Sequence, residues 1–284
     1  PGGVGVLGLL AADWLADRGA RRIILAGRTP LPPRKQWSAA DSGLDVDTRH
    51  KIDAIHALEM RGVSVDTVAL DIGSLDAVQG FLGRRDAGGA PLIRCVIHAA
   101  GMTDAQLLTE IDENRVHRTV WPKIAGARVL DEAFPVGSLD FMYLDASAGA
   151  VFGVPGQGAY AAGNAYLDAL ARARHRQGCN TVSLDWVAWQ GLGFGGEAQV
   201  VFSELERVGS RPVTASEAFA AWDYASRFDI GQVVMAPMQS AEDAAAVTSD
   251  AHRPTAPTRA WSTMAPAELL SELQDGLRGI LATE

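Results

Sequence analysis

A serine, a tyrosine and an asparagine in the second half of the chain have types and spacing suited to proton chemistry on a carbonyl. They are Ser147, Tyr160 thirteen residues later, and Asn164 four residues beyond that. Four residues is about one helical turn, so Tyr160 and Asn164 face the same way. A free phenol titrates at about pH 10. A neighbouring ammonium stabilises the phenolate and helps the group give up a proton near neutrality. Lys123 is the upstream candidate for that ammonium. A serine hydroxyl beside the phenol can polarise a carbonyl oxygen. Together these residues fit general acid catalysis coupled to hydride transfer.

Hydride transfer needs a dinucleotide, and the first residues offer a cradle for one. Gly3-x-Gly5-x-x-Gly8 opens a helical pattern. Glycines let the backbone approach a pyrophosphate, and the helix start presents free N–H groups and a positive dipole end. The next strand pattern ends at Ala26-Gly27-Arg28. An arginine there, where NAD enzymes often carry an acid, suits a 2′-phosphate and favours NADPH over NADH; the alternative is a surface arginine. Asp71 ends a further strand and can accept from an adenine amino group or cap the next helix. Ala99, Ala100 and Gly101 end another strand, as a ribose lying against the backbone requires, or as a plain tight turn does.

The elements that position these residues alternate. Helical periodicity covers Leu9–Leu15, 51–61, 74–83, 105–134 with a break near Trp121-Pro122, one long stretch from Pro155 to Gln177, and 215–226. Strand patterns cover 21–26, 63–70, 92–98, 140–146, 181–187 and 232–236. Such alternation predicts an α/β fold with a doubly wound parallel sheet covered on both faces. The strand that should precede the glycine loop is missing from the chain, so the chain reads as a fragment. Residues 30–50, with Pro30, Pro32 and Pro33, read as a surface insertion. Gly191, Gly193, Gly195 and Gly196, followed by Val200, Val201, Phe202 and Leu205, read as a hinged flap. Residues 1–239 form the expected domain and 240–264 a linker. Residues 265–284 form one helix of a truncated further domain.

Composition narrows the functions available. The 284 residues are 48% hydrophobic and 21% charged, which can build a full core. A net charge of −9 argues against nucleic-acid binding. Two cysteines exclude a disulfide framework and suit a reducing, cytoplasmic setting. No apolar run is long enough to span a membrane. The six histidines are scattered, with no metal spacing; His98, on a buried strand pattern, reads as a packed histidine. Trp186 and Trp189 read as core residues, with a pocket wall as the alternative.

These residues resemble the catalytic ketoreductase domain of modular type I polyketide synthases, in the short-chain dehydrogenase/reductase superfamily. The resemblance covers roughly residues 2–238. It rests on GGVGVLG (2–8), AGR (26–28), LD (70–71), HAAG (98–101), PK (122–123), SAGAVFGVPGQGAYAAGNAYLDA (147–169) and LDWVAW (184–189). Simple members of the superfamily carry a lysine where this chain has Asn164; polyketide ketoreductases take it from the earlier helix, at the position of Lys123. The resemblance implies a Rossmann-type fold and NADPH-dependent reduction of a β-ketoacyl thioester. The substrate would be carried by the phosphopantetheine of an acyl carrier protein, among other domains of a synthase. Tyr160 would donate the proton, Ser147 polarise the ketone, Lys123 lower the tyrosine pKa and Asn164 order the relay. The helix at 265–281 resembles the start of an acyl carrier domain. The chain departs from the pattern at Pro1 and Val6, at Thr103-Asp104-Ala105 where one stereochemical class has Leu-Asp-Asp, and at Phe152 where the opposite class has Trp. A non-catalytic scaffold domain and a free-standing reductase of small ketones are the rival expectations.

Overall fold

The computed structural model describes residues 1–37, 43–106, 112–192 and 198–239, all within the unit Pro1–Ala244. The expected linker and terminal helix, and Gly193, Gly195 and Gly196 of the expected flap, lie outside the described residues.

The chain opens with helix α1 (Val6–Asp17), then β1 (Arg22–Gly27), a 3-10 turn (Arg34–Gln36), α2 (Val46–Met60), β2 (Ser64–Ala69) and α3 (Leu75–Ala87). There follow β3 (Cys95–His98), α4 (Glu113–Ala133), β4 (Phe141–Ser147), the short α5 (Gly149–Phe152) and α6 (Gly158–Arg176). The last elements are β5 (Thr181–Trp186), α7 (Ala198–Arg207), α8 (Ala215–Ala225) and β6 (Gln232–Met235). The described strands pair in parallel as two ladders, β1-β2 and β3-β4-β5-β6. Pro1 and Gly3 join them at their carboxyl ends: the Gly3 N–H donates to Ala26 O at 2.9 Å and the Ala99 N–H donates to Pro1 O at 2.8 Å.

The central strands are buried on both faces, and their side chains alternate between two cores. Met142, Leu144 and Ala146 of β4 pack with Leu130 of α4 and Leu167 and Ala171 of α6. Tyr143 of β4 and Val182, Leu184 and Trp186 of β5 pack with Trp14 of α1 and Trp222 of α8. Trp186 and Trp189 are therefore both core residues. A third core joins Ile23 and Leu25 of β1 to Ile52, Ile55 and Leu58 of α2.

Two expectations need correcting and one needs a new boundary. Helix α4 does not break at Trp121-Pro122: Thr119, Pro122, Lys123, Gly126 and Ala127 form one buried stripe. Its packing outweighs the lost hydrogen bond of a proline in mid-helix. The long helix expected from Pro155 to Gln177 is present as the single helix α6, but it starts only at Gly158, because Gly156 takes φ +76°. The 30–50 region is not purely a surface insertion: Trp37 is buried in the third core, its indole N–H donating to Pro32 O at 2.7 Å. None of the described helices is long and apolar enough to cross a membrane.

Candidate active site

Ser147 is the last residue of β4, inside the strand rather than after it. Tyr160, Asn164 and Lys123 come to it from α6 and α4. The Ser147 and Asn164 side chains lie close enough to the Tyr160 phenol to favour its ionised form. Burial nonetheless pushes the phenol above its ordinary value, so it is a proton donor at neutral pH. The Asn164 amide also donates to Tyr160 O at 2.8 Å. Lys123 Nζ lies over the Tyr160 ring, 5.7 Å from its centroid, and donates to Asp145 O at 2.5 Å. Burial pushes the Lys123 ammonium down to about 8, against the pull of Asp145, Asp168 and Asp185. Burial likewise lifts Asp145 to about 6, although Lys123 and the Trp186 indole favour its ionised form.

Two glycines make room for this lysine. A Cβ on Gly101 would meet Lys123 Cε at 2.9 Å, and one on Gly163 would meet Lys123 Cβ at 3.2 Å. Gly163 escapes sequence reasoning altogether, and Gly101 serves a purpose beyond a ribose wall. His98, fully buried, has both ring nitrogens unpartnered among the described residues, and burial drives its pKa well below the usual range. It is a neutral, packed imidazole, as the sequence suggests.

The glycine loop divides its labour. A Cβ on Gly8 would lie 2.4 Å from Gly2 O, and one on Gly3 2.9 Å from Leu25 Cα, so both glycines serve close backbone packing. Gly5 is different: its φ is −79° and a Cβ there meets only Gly2 O at 3.2 Å. It is the N-cap of α1, with no side-chain cap and no acidic residue in the first turn. That helix start therefore offers unsatisfied N–H groups with no competing carboxylate.

Arg28 stands exposed just past β1, with no ion-pair partner among the described residues. A cleft lined by Val4, Leu25, Thr29, Leu31, Thr67 and Val68 lies in the same region. Asp71 lies just past β2. Its Oδ1 accepts from the Gly73 N–H at 3.0 Å and from Trp121 Nε1 at 3.4 Å, while Ser74 caps α3. Ala99, Ala100 and Gly101 follow β3 beside the glycine loop. An uncapped helix start, an unpaired guanidinium and small residues along the strand ends fit an anionic dinucleotide.

A second, apolar cleft opens beside Ser147, lined among others by Phe152, Val154, Trp186, Val201 and Leu205. Trp186 is thus both core and cleft wall. Asp104 is held by a bidentate pair with Arg115, whose Nε donates to it at 2.9 Å. The Gln106 N–H donates to Gly156 O at 2.7 Å, tying the segment after β3 to the turn before α6.

Three comparisons set this geometry beside known proteins. The family model described as the KR domain matches residues 1–191. One subunit of the phenolphthiocerol/phthiocerol polyketide synthase of Mycobacterium tuberculosis is 56% identical over 283 residues, covering all of this chain and 15% of that protein. The 6-methylsalicylic acid synthase of Aspergillus terreus is 41% identical over 234 residues, covering 82% of this chain and 13% of that protein. The chain thus spans about one seventh of the length of these relatives. A ketoreductase from the first module of phoslactomycin biosynthesis in Streptomyces sp. HK803 superposes with a TM-score of 0.71 at 32% identity, covering 89% of this chain and 55% of that one.

Proposed function

The chain belongs to the KR family, the ketoreductase domains of polyketide synthases, and from that premise we propose that it reduces a β-ketoacyl thioester to the β-hydroxyacyl thioester, using NADPH. The observation that carries this reading is the convergence of Ser147, Tyr160 and Asn164 from β4 and α6, with the Lys123 ammonium 5.7 Å from the centroid of the Tyr160 ring.

A nicotinamide cofactor supplies the hydride; the residues of this chain do the rest. Gly5 and the start of α1 hold the pyrophosphate, Arg28 the 2′-phosphate, and Ala99, Ala100 and Gly101 leave room for a ribose. Asp71, already fixed by Gly73 and Trp121, offers its carboxylate to the adenine amino group. Gly3 and Gly8 keep the loop tight. In the apolar cleft the acyl chain lies along Phe152, Val154 and Leu205, and its ketone meets Ser147 and Tyr160. As the carbonyl oxygen gains negative charge, the Ser147 hydroxyl stabilises it and Tyr160 delivers its proton there. Lys123 offsets the charge left on the phenolate, and Asn164 orients the phenol. The substrate arrives on the phosphopantetheine arm of an acyl carrier protein, within the larger synthase.

The test is direct. The chain is mixed with NADPH and a β-ketoacyl pantetheine thioester, and cofactor oxidation is followed together with formation of the β-hydroxy product. Oxidation coupled to that product supports the reading. Cofactor binding without turnover would make this a non-catalytic domain, and turnover of small ketones alone would make it a reductase of another substrate class.

A further inference from the structure

The stripe of α6 that carries Tyr160 and Asn164 continues, one turn further, to Asp168. Asp168 is 4% exposed and meets the side of β5 opposite Val182, Leu184 and Trp186. From that side Ser183 Oγ donates to Asp168 Oδ1 at 2.6 Å. Asp185, fully buried on the same side, accepts at Oδ2 from Gln232 Nε2 of β6 at 2.7 Å. The Gln232 Oε1 accepts from Arg172, which fixes the amide so that its nitrogen faces Asp185.

Ser183 and Asp185 are two residues apart on β5 and so share a face, which sets the Asp185 carboxyl beside Asp168 in the same buried pocket. Asp185 Oδ1 is buried with no hydrogen-bond donor among the described residues. An ionised carboxylate only accepts, so a buried carboxylate oxygen with no donor, next to a second carboxyl, is relieved by one proton between the two. The surroundings decide which keeps it. Burial raises Asp168 as well, but the Ser183 hydroxyl, Arg172 and Lys123 all favour its ionised form. Burial and the neighbouring Asp168 charge favour the neutral form of Asp185.

We propose that Asp168 and Asp185 share one proton, with Asp185 the acid donating through Oδ1 to an ionised Asp168, and that the single negative charge of the pair positions and holds the Lys123 ammonium. The charged groups acting on the pair are Arg172 of α6 and Lys123 of α4. Asp145 of β4 is the third carboxyl acting on Lys123, and β5 and β6 add only the neutral Ser183 and Gln232. Asp168 is then a positioning residue, acting on Tyr160 through Lys123. This second half rests on the catalytic reading of Lys123 and Tyr160; the shared proton does not.

Denaturant unfolding of the full chain tests the proton. Between pH 5 and pH 7 the folded state keeps a proton that an ordinary unfolded carboxyl has released. Stability therefore falls as pH rises, and this group alone raises the unfolding constant tenfold per pH unit. Asp185→Asn replaces the acid O–H with an amide N–H and should remove that tenfold increment. Equal pH slopes in wild type and variant overturn the shared proton. Infrared spectroscopy of the wild type gives a reading that needs no variant: a protonated-carboxyl band should persist above about pH 7, and its absence overturns the proposal.

The positioning role is read from pH–rate profiles. The double variant Asp168→Asn/Asp185→Asn, which removes the charge whichever carboxyl carries it, should move the alkaline limb to lower pH by about one unit, because Lys123 loses its counter-charge, while Asp185→Asn alone leaves the limb in place. An unmoved limb in the double variant overturns the positioning role. If the wild type reduces no β-ketoacyl thioester, the proposed function fails instead, and the unfolding and infrared results still decide the proton.

Discussion

Lys123 crosses the face of Gly101 so closely that a Cβ there would stand 2.9 Å from its Cε. The lysine is buried and tied to Asp145 O, so it has little freedom to move aside. Gly101→Ala should therefore push Nζ away from Tyr160. Turnover should fall by about 10–100-fold, the scale of a small misplacement of a catalytic group. Stability should fall by only about 1 kcal/mol, because a side chain rather than backbone must shift. Steady-state kinetics beside denaturant unfolding separates the two effects.

Tyr160→Phe keeps the ring and removes the proton. Turnover of a β-ketoacyl thioester should drop by about 10²–10⁴-fold, the usual contribution of a general acid. NADPH affinity, measured by fluorescence titration, should stay near that of the wild type. A variant that reduces substrate at a comparable rate would make the tyrosine a packing residue.

The pH dependence of reduction should follow Lys123. Burial keeps Tyr160 protonated at neutral pH and sets the Lys123 pKa at about 8. As pH rises through that value the ammonium is lost and with it the charge that stabilises the phenolate. Reduction measured at saturating NADPH should thus decline above about pH 8. A rate that is flat to pH 10 would separate Lys123 from the proton transfer.

Arg28 should set cofactor choice. A charge-assisted contact to a 2′-phosphate contributes about 1.5–3 kcal/mol, roughly 10–100-fold in affinity. Arg28→Ala should weaken NADPH by that factor and leave NADH nearly untouched. Calorimetry with both cofactors checks this, and equal losses would remove Arg28 from the 2′-phosphate site.

Gly5 and Gly8 should respond in opposite ways. Gly8→Ala drives a Cβ into backbone at Gly2 and Gly3, where nothing flexible can yield, and should destabilise the chain by about 1–3 kcal/mol. Gly5→Ala meets only one atom at 3.2 Å, so the fold should tolerate it. Its methyl group should instead crowd the start of α1 and weaken cofactor binding. Thermal unfolding and cofactor titration on both variants give the comparison.

Local pattern already specified much of this molecule. The order of helices and strands, a parallel sheet covered on both faces, and the one-turn spacing of Tyr160 and Asn164 all follow from periodicity and residue type, which act over a few positions. The packed state of His98 is equally readable, since it sits in an apolar strand pattern. Tertiary packing decided the rest. Helix α4 runs through Pro122 because its buried stripe outweighs one lost hydrogen bond, a balance that no window of sequence contains. Trp37 enters a core from a proline-rich stretch because α2 and β1 leave a place for it. Gly101 and Gly163 lie 62 residues apart in the sequence, yet one lysine from a third segment passes both. Asp168 and Asp185 look like ordinary acids, one on a helix and one on a strand. Only the parallel register that sets β5 against α6 and β6 buries them together and forces a proton between them.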